Sequence, residues 1–342
     1  MNQSDRNDQP GLRRVLTGAL CAAMLVFALT GCQPMADNSA LQNPQPTGGK
    51  PSQSADLPDI PDDLEVKNGV PMLTVYDVKN ERYETMDIER YVMGVLAGEM
   101  KNDWPMEALK AQAILARTFV LKFVDEKDFK YEDADISTDI KEAQAYNAEA
   151  VNERIEQAVL ETRGQVLSAD GDLPYAWFHA HAGGMTELPT LALDYKKDSP
   201  SYIRVVESPD SDKAPENVKQ WSAAFPASAV AQAAKESGVD VGEITSIELG
   251  EKGESGRTAY FLINGQKVSA PSLRIHLDSQ KLKSTLISSV SLKDGEITFT
   301  GSGYGHGVGM SQWGAYGMAE EGRKAEEIVE HYFRNVEVVK LW

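Results

Sequence analysis

Seven glycines fall between Gly301 and Gly317, most of them at alternate positions in Gly301-Ser302-Gly303-Tyr304-Gly305-His306-Gly307-Val308-Gly309-Met310-Ser311-Gln312-Trp313-Gly314-Ala315. A stretch so poor in Cβ atoms admits positive φ and close backbone approach, neither of which a regular helix or strand needs. One reading makes it a compact loop that presents His306, Ser311 and Gln312 to a ligand. The other makes it a turn packed inside the domain, with His306 as a hydrogen-bonded core residue. It is not a phosphate loop, because the Gly-Lys-Ser/Thr ending is missing and the glycine spacing is not that of a dinucleotide fingerprint.

The other end of the chain fixes where such a domain works. Arg13 and Arg14 precede an apolar run from Val15 to Leu29, followed by Leu29-Thr30-Gly31-Cys32. A basic region, an apolar run too short for a comfortable membrane span and a small-residue cleavage site are the order of an export signal. The last four residues resemble a lipobox, which makes Cys32 a lipid carrier and ties the mature chain to the outer face of a membrane. Residues 1–31 are then the signal and 32–64 the lipidated cysteine with a polar, Pro- and Gln-rich tether. Cys21 leaves with the signal, so disulfides and cysteine-based metal sites are excluded.

The chain carries a net charge of -18. Losing Arg6, Arg13 and Arg14 with Asp5 and Asp8 makes the mature form one charge more negative. Such a chain does not bind nucleic acid. It is also repelled by anionic wall polymers, so glycan recognition has to come from local hydrogen bonds and stacking, with little dependence on salt.

Residues 65–342 mix strand and helix signals and predict an α+β fold, a single large domain with an inserted subdomain. Strands are expected at Pro71 to Tyr76, Gly164 to Ser168, Tyr175 to Ala180, Ile244 to Leu249 and Thr258 to Ile263. The turn Ala169-Asp170-Gly171-Asp172 is expected to join two of them as a hairpin. Ile88, Tyr91, Val92, Val95 and Leu96 recur at helical spacing behind a capping Asp87, and this helix runs out near Glu99. A second helix starts after Asp103 and runs to Phe123, with Pro105 in its first turn. Ala148 to Glu161 and Lys324 to Tyr332 are two more.

Glu99 sits where the first helix has left its apolar stripe and the second has not begun. Leu96, Met100 and Trp104 offer an apolar wall, and desolvation raises the pKa of a carboxyl group towards what a proton donor needs near neutral pH. On pattern alone Glu99 reads more readily as a surface residue.

The stretch Glu89-Arg90-Tyr91-Val92-Met93-Gly94-Val95-Leu96-Ala97-Gly98-Glu99-Met100, with Glu107 to Thr118 behind it, resembles the stage II sporulation protein D family. So do Phe178-His179-Ala180-His181-Ala182-Gly183-Gly184-Met185-Thr186-Glu187 and the glycine-rich segment, in that order. The resemblance implies a lytic transglycosylase with Glu99 as its catalytic residue and the other motifs lining a glycan cleft. Gln112, Arg117, His179, Thr186, Tyr202, His306, Ser311 and Gln312 are then the substrate-binding candidates. No cofactor is implied. His179, His181 and His306 form a metal-ligating trio only on paper. Family members that hold zinc do so through Cys and His in the segment reading Asp139 to Tyr146 here, which has neither, so no metal is expected.

The expected partners are the membrane through the lipid anchor, peptidoglycan glycan strands, by resemblance strands stripped of their peptides, and, by the same resemblance, a wall amidase and a membrane scaffold of the engulfment machinery. Two other functions compete. A non-catalytic glycan-binding enhancer of a wall amidase needs the groove but not the acid. A hydrolase built on Ser311 and His306 needs a nucleophile elbow, and no such pattern surrounds Ser311.

Overall fold

The apolar alternation of Val70-Pro71-Met72-Leu73-Thr74-Val75 turns Leu73 and Val75 inward, both essentially fully buried, and sets the first sheet. The computed structural model describes residues 57–126, 130–140 and 142–342; the expected export signal, Cys32 and the expected tether as far as residue 56 lie outside the described residues, and the end of that tether is corrected, since Leu64 is buried in the main core with Ile60 packed against it. Strands β1 (Val66–Lys67) and β3 (Arg82–Asp87) pair antiparallel with β2 (Val70–Asp77). The chain passes from β3 directly into α1 (Ile88–Glu99), and Asp87 both ends the strand and caps the helix, accepting the Arg90 N–H at 2.9 Å. That side chain satisfies one of the unpaired donors of the first turn.

Ile88, Tyr91, Val92, Val95 and Leu96 are fully buried, as their spacing predicts. Helix α2 (Met106–Glu126) presents buried Ala108, Ala111, Ala113 and Ala116, small enough for close packing against its neighbours. Those neighbours are α1, α3 (Glu153–Glu161) and two helices from the end of the chain. Between α2 and α3, β4 (Ile136–Ser137) pairs parallel with β2. The helix expected from Ala148 is broken: residues 148–150 form one 3-10 turn, and α3 starts only after Asn152, whose side chain caps Ile155 N–H.

Helix α1 is locked by charge as well as by packing. The Arg117 guanidinium on α2 is fully buried and pairs with Glu89 on α1, Nη2 to Oε2 at 2.5 Å. It also donates to the Gln165 carbonyl at 2.8 Å. The other Glu89 oxygen accepts the Gly164 N–H and the Trp342 indole N–H, each at 3.0 Å. The expected substrate contact of Arg117 is corrected here, since a side chain consumed by the interior has no donor left for a glycan.

After β5 (Gln165–Ser168) the Ala169 to Asp172 turn forms, with positive φ at Asp170 and Gly171. The hairpin does not. The expected partner strand shortens to β6 (Phe178–His179), and β5 pairs instead with the last strand of the chain. Short helices α4 (Pro189–Ala192) and α5 (Glu216–Lys219) lead into an insert with its own core. The insert holds β7 (Gln220–Pro226), α6 (Ala227–Glu236), β8 (Ile247–Leu249), β9 (Tyr260–Ile263), β10 (Gln266–Ser269) and α7 (Ala270–Leu277). Strands β11 (Ile287–Lys293) and β12 (Glu296–Ser302) complete it. Two three-stranded antiparallel sheets, β11-β12-β7 and β10-β9-β8, enclose Phe225, Phe261 and Phe299. The chain then rejoins the main core through β13 (Met310–Ser311), α8 (Gln312–Glu320), α9 (Ala325–Tyr332) and β14 (Glu337–Lys340), which pairs with β5. The α+β reading with an inserted subdomain therefore holds. Among the described residues no helix is long and apolar enough to cross a membrane.

Glu89→Ala leaves the buried guanidinium uncompensated, and removing one partner of such a pair costs about 3–5 kcal/mol. Denaturant unfolding should show the loss, and a change below about 1 kcal/mol would mean that the pair does not hold the helices together.

Candidate functional site

Glu99 is the last residue of α1, where the negative end of the helix dipole disfavours a carboxylate. Its Oε1 accepts the Ala145 N–H at 2.7 Å and its Oε2 accepts a Gln312 Nε2–H at 3.3 Å. Leu96, Met100 and Trp104 are buried beside it in sequence, as expected. Burial pushes its pKa above the ordinary carboxylate value, and the two hydrogen bonds only partly oppose that rise. A carboxyl group balanced in this way can give up a proton and be held by neutral donors once it has done so.

The Ala145 amide arrives by a close approach. A Cβ on Gly98 would lie 2.7 Å from the Ala145 carbonyl carbon, and one on Gly94 would strike the Tyr146 ring. The Asn147 N–H donates to the Gly94 carbonyl at 2.8 Å, and Tyr146 stacks on Tyr91 with ring centres 5.4 Å apart. Gly94 and Gly98 are thus one turn apart on α1 so that residues 143–147 can lie on the helix and aim an amide at Glu99. The sequence reading missed this use of the first motif.

The second and third motifs meet as a parallel pair, β6 against β13. The Trp313 N–H donates to the Ala180 carbonyl at 3.0 Å, and His181 and Tyr304 exchange backbone hydrogen bonds at 2.9 Å each. The glycine-rich segment is consequently not one loop. It ends β12, turns, forms β13 and opens α8. At Gly309 φ is +68° and a Cβ would strike the Trp177 carbonyl, so no other residue fits.

Ser311 is fully buried and caps α8, accepting the Gly314 N–H at 3.2 Å. Its hydroxyl donates to Asp210 Oδ1 at 2.5 Å. Asp210 also accepts the Gly183 N–H at 2.9 Å, the Gly184 N–H at 3.2 Å and the Ser208 hydroxyl at 2.9 Å. It is a latch between the two motifs, and it was missed because Glu207-Ser208-Pro209-Asp210 carries no periodic signal. Ser311 therefore positions Gln312 by starting the helix that carries it, and a buried capping hydroxyl is not a nucleophile.

The histidines separate. His179 donates Nδ1–H to the Val308 carbonyl at 3.1 Å, which leaves Nε2 as a buried acceptor with no hydrogen-bond partner. His306 accepts the Val308 N–H on Nδ1 at 3.0 Å, and its ring centre is 5.6 Å from that of His179. Burial, then the charges of Arg274 and Arg257, push the His306 pKa down to about 3. Burial first, then His306, moves His179 well below the imidazole range, so both rings are neutral at working pH. His181 leaves β6 and faces Asp210, Nδ1 to Oδ2 at 3.3 Å, so it does not share a strand face with His179. Among the described residues no group of three His, Cys, Asp or Glu side chains is arranged for a metal ion.

Gln112 is fully buried with neither end of its carboxamide hydrogen-bonded, and Gln144, next to Ala145, is in the same condition. Thr186 and Tyr202 are engaged elsewhere. Thr186 bonds the Arg204 and Val206 carbonyls at 3.1 and 3.3 Å, and the Tyr202 hydroxyl accepts the Tyr175 N–H at 2.9 Å. Of the expected residues, then, Gln312 reaches Glu99 directly, Ser311 acts through Gln312, His179 and His306 pack against each other, and Arg117, Thr186 and Tyr202 tie the scaffold.

Residues 76–168 match the family model described as stage II sporulation protein, and residues 184–309 match a domain of unknown function. The chain is 34% identical to an uncharacterized protein of Brachyspira hyodysenteriae over 74% of its own length and 67% of that protein. It is 31% identical to stage II sporulation protein D of Bacillus amyloliquefaciens over 77% of each chain. To the amidase enhancer of Bacillus subtilis it is 27% identical over 70% of its own length and 39% of that protein.

Gly98→Ala should push the backbone of residues 145–146 off α1 and withdraw the amide that opposes the rise in the Glu99 pKa. An unchanged pH dependence of stability in that variant would show that the amide does not bear on the carboxyl group. The raised pKa of Glu99 has a stability signature too. Above the unfolded carboxylate pKa, about 4.3, the folded state holds the extra proton, so stability falls as pH rises through the folded pKa. Glu99→Gln should therefore gain on the wild type in melting temperature with rising pH and lose that advantage below pH about 4. A pH-independent difference would mean that Glu99 is not desolvated.

Proposed function

The chain belongs to the stage II sporulation protein D family, and from that premise we propose that it is a lytic transglycosylase of peptidoglycan with Glu99 as its acid and base. The observation that carries this reading is the carboxyl group of Glu99, desolvated at the end of α1 and held between the Ala145 amide and the Gln312 carboxamide.

Protonated Glu99 gives its proton to the oxygen linking N-acetylmuramic acid to N-acetylglucosamine, and that C–O bond breaks. The muramyl C6 hydroxyl attacks C1, and its proton returns to the carboxylate. No water is consumed, a 1,6-anhydro ring closes, and Glu99 is regenerated. One carboxyl group therefore serves where hydrolases use two. The two neutral donors stabilise the carboxylate during its brief existence without lowering its pKa as a lysine or arginine would. Positioned proton transfer contributes about 100- to 10,000-fold, and holding the sugar in place supplies much of the rest.

The name of the Bacillus amyloliquefaciens relative refers to sporulation, which supports a role for this activity in remodelling the wall there, and a lipid anchor at Cys32 would hold the domain at the outer face of the membrane, within reach of the wall. A second reading, a glycan-binding enhancer of a wall amidase, draws support from the amidase-enhancer relative.

Purified protein and its Glu99→Gln variant, incubated with peptide-stripped and intact peptidoglycan, separate these readings by mass spectrometry. The wild type should release 1,6-anhydromuramyl ends, and the variant at least about 100-fold fewer. Binding without products from either protein would favour the enhancer, and hydrated reducing ends would make the protein a hydrolase.

A further inference from the structure

Gln312 is the first residue of α8, so the 3.3 Å between its carboxamide and Glu99 depends on where the start of that helix is seated. The seat is the segment Ser208-Pro209-Asp210-Ser211. Ser311, Gly314 and Gly317 recur every third position and lie on one face at the start of the helix. On that face a Cβ at Gly314 would strike the Ser208 and Tyr332 hydroxyls, and one at Gly317 would strike the Pro209 carbonyl oxygen. The Ser211 N–H donates to the Trp313 carbonyl at 3.1 Å. Two residues without Cβ atoms therefore let the backbone of α8 settle directly on the segment.

Asp210 fastens the seat. Its side chain is 6% exposed, and Oδ1 accepts the Ser311 hydroxyl at 2.5 Å and the Ser208 hydroxyl at 2.9 Å. The Ser208 oxygen in turn accepts the Tyr332 hydroxyl at 2.8 Å, which carries the network to α9. Oδ2 accepts the Gly183 and Gly184 N–H groups, and His181 Nδ1 lies 3.3 Å from it. The Ser311 oxygen, having given its proton to Asp210, accepts the Gly314 N–H of α8 and the Ala182 N–H, each at 3.2 Å. A carboxylate is an acceptor only, which suits a place where hydroxyls and amides converge; a carboxamide there would set N–H against N–H. Hydrogen bonds to a carboxylate are also about twice as strong as neutral ones, so this joint holds the start of the helix firmly.

We propose that Asp210 is a positioning residue: acting through the Ser311 hydroxyl and the start of α8, it keeps the Gln312 carboxamide on Glu99 and so governs how firmly Glu99 holds its proton. Its consequence for turnover rests on the reading of Glu99 as the reacting acid; the coupling itself is a property of the fold. None of the hydrogen bonds of Asp210 goes to Glu99, and the linkage runs from Asp210 to Ser311, from Ser311 to Gln312 and from Gln312 to Glu99. The Ala145 amide reaches Glu99 from a different segment, so a change at Asp210 withdraws one donor and leaves the other. With one donor gone, burial is less opposed, and the carboxyl group keeps its proton to higher pH.

The test is made on the full chain, isotopically labelled at the glutamate side-chain carboxyl carbons and titrated by NMR, with the Glu99 resonance identified as the one absent from Glu99→Gln. Asp210→Asn and Gln312→Leu should each raise the Glu99 midpoint, the proton being held about threefold to tenfold more tightly, which is what one neutral hydrogen bond contributes. The double variant should rise no further than Gln312→Leu alone, because both changes cut the same linkage. An unchanged midpoint in Asp210→Asn overturns the proposal, and so does a further rise in the double variant. A merely structural role for Asp210 would lower the melting temperature and leave the midpoint where it was. Should Asp210→Asn not fold, Ser311→Ala interrupts the linkage while leaving Asp210 its backbone donors, and it is held to the same outcomes. The assay for anhydro ends is separate: a protein that cleaves without this coupling loses only the role of Asp210, and one that shows the coupling without cleaving keeps it.

Discussion

The structure depends on one buried ion pair, Glu89 with Arg117. Through it α1, α2, the start of β5 and the Trp342 side chain meet at a single carboxylate. Glu89 and Glu99 lie ten residues apart on one helix, about 15 Å along its axis. Their environments are opposite. Glu89 faces a guanidinium and two N–H donors, and its charge is spent on structure. Glu99 faces only neutral donors, so burial prevails and its proton is held more tightly. Fixing the first end of the helix with a full charge is what allows the second end to hold a carboxyl group in suspense.

The elements around Glu99 were legible in the sequence because their signals are local. Asp87 before an apolar stripe gives a capped helix wherever the rest of the chain lies, and the α1 and α2 boundaries follow within a few residues. Glu99 itself was singled out by the resemblance, since an apolar flank beyond the stripe fits a surface residue as well. What was not legible is every choice made between distant partners. Nothing in the neighbourhood of Arg117 says that it turns inward to Glu89, and nothing near β5 says that it waits for β14 instead of closing the hairpin its turn invites. The turn formed with the φ values such a sequence prefers, but a two-residue turn stabilises a hairpin only weakly against a partner strand that buries more.

The glycine-rich segment was misjudged for a related reason. Its glycines read as one compact loop or one packed turn, whereas each answers a separate steric demand from a different neighbour: the Trp221 ring at Gly301, the Arg257 side chain at Gly307 and the Trp177 carbonyl at Gly309. Asp210 was invisible as well, since its five partners come from three parts of the chain. Most polar groups buried so completely are paired, and the pairing is written in tertiary structure.

The hydrogen bond between Gln312 and Glu99 joins residues separated by 213 positions. Loop-closure entropy for such a contact is recovered only after the intervening insert has condensed, so this contact forms among the last. A chain delivered in order from its first residue thus emerges with its acid in place and its counterpart still to come. Docking of the third motif brings the Gln312 carboxamide against Glu99 and supplies the second of its two donors. Completion of folding is in this way also the moment at which the surroundings of Glu99 are assembled.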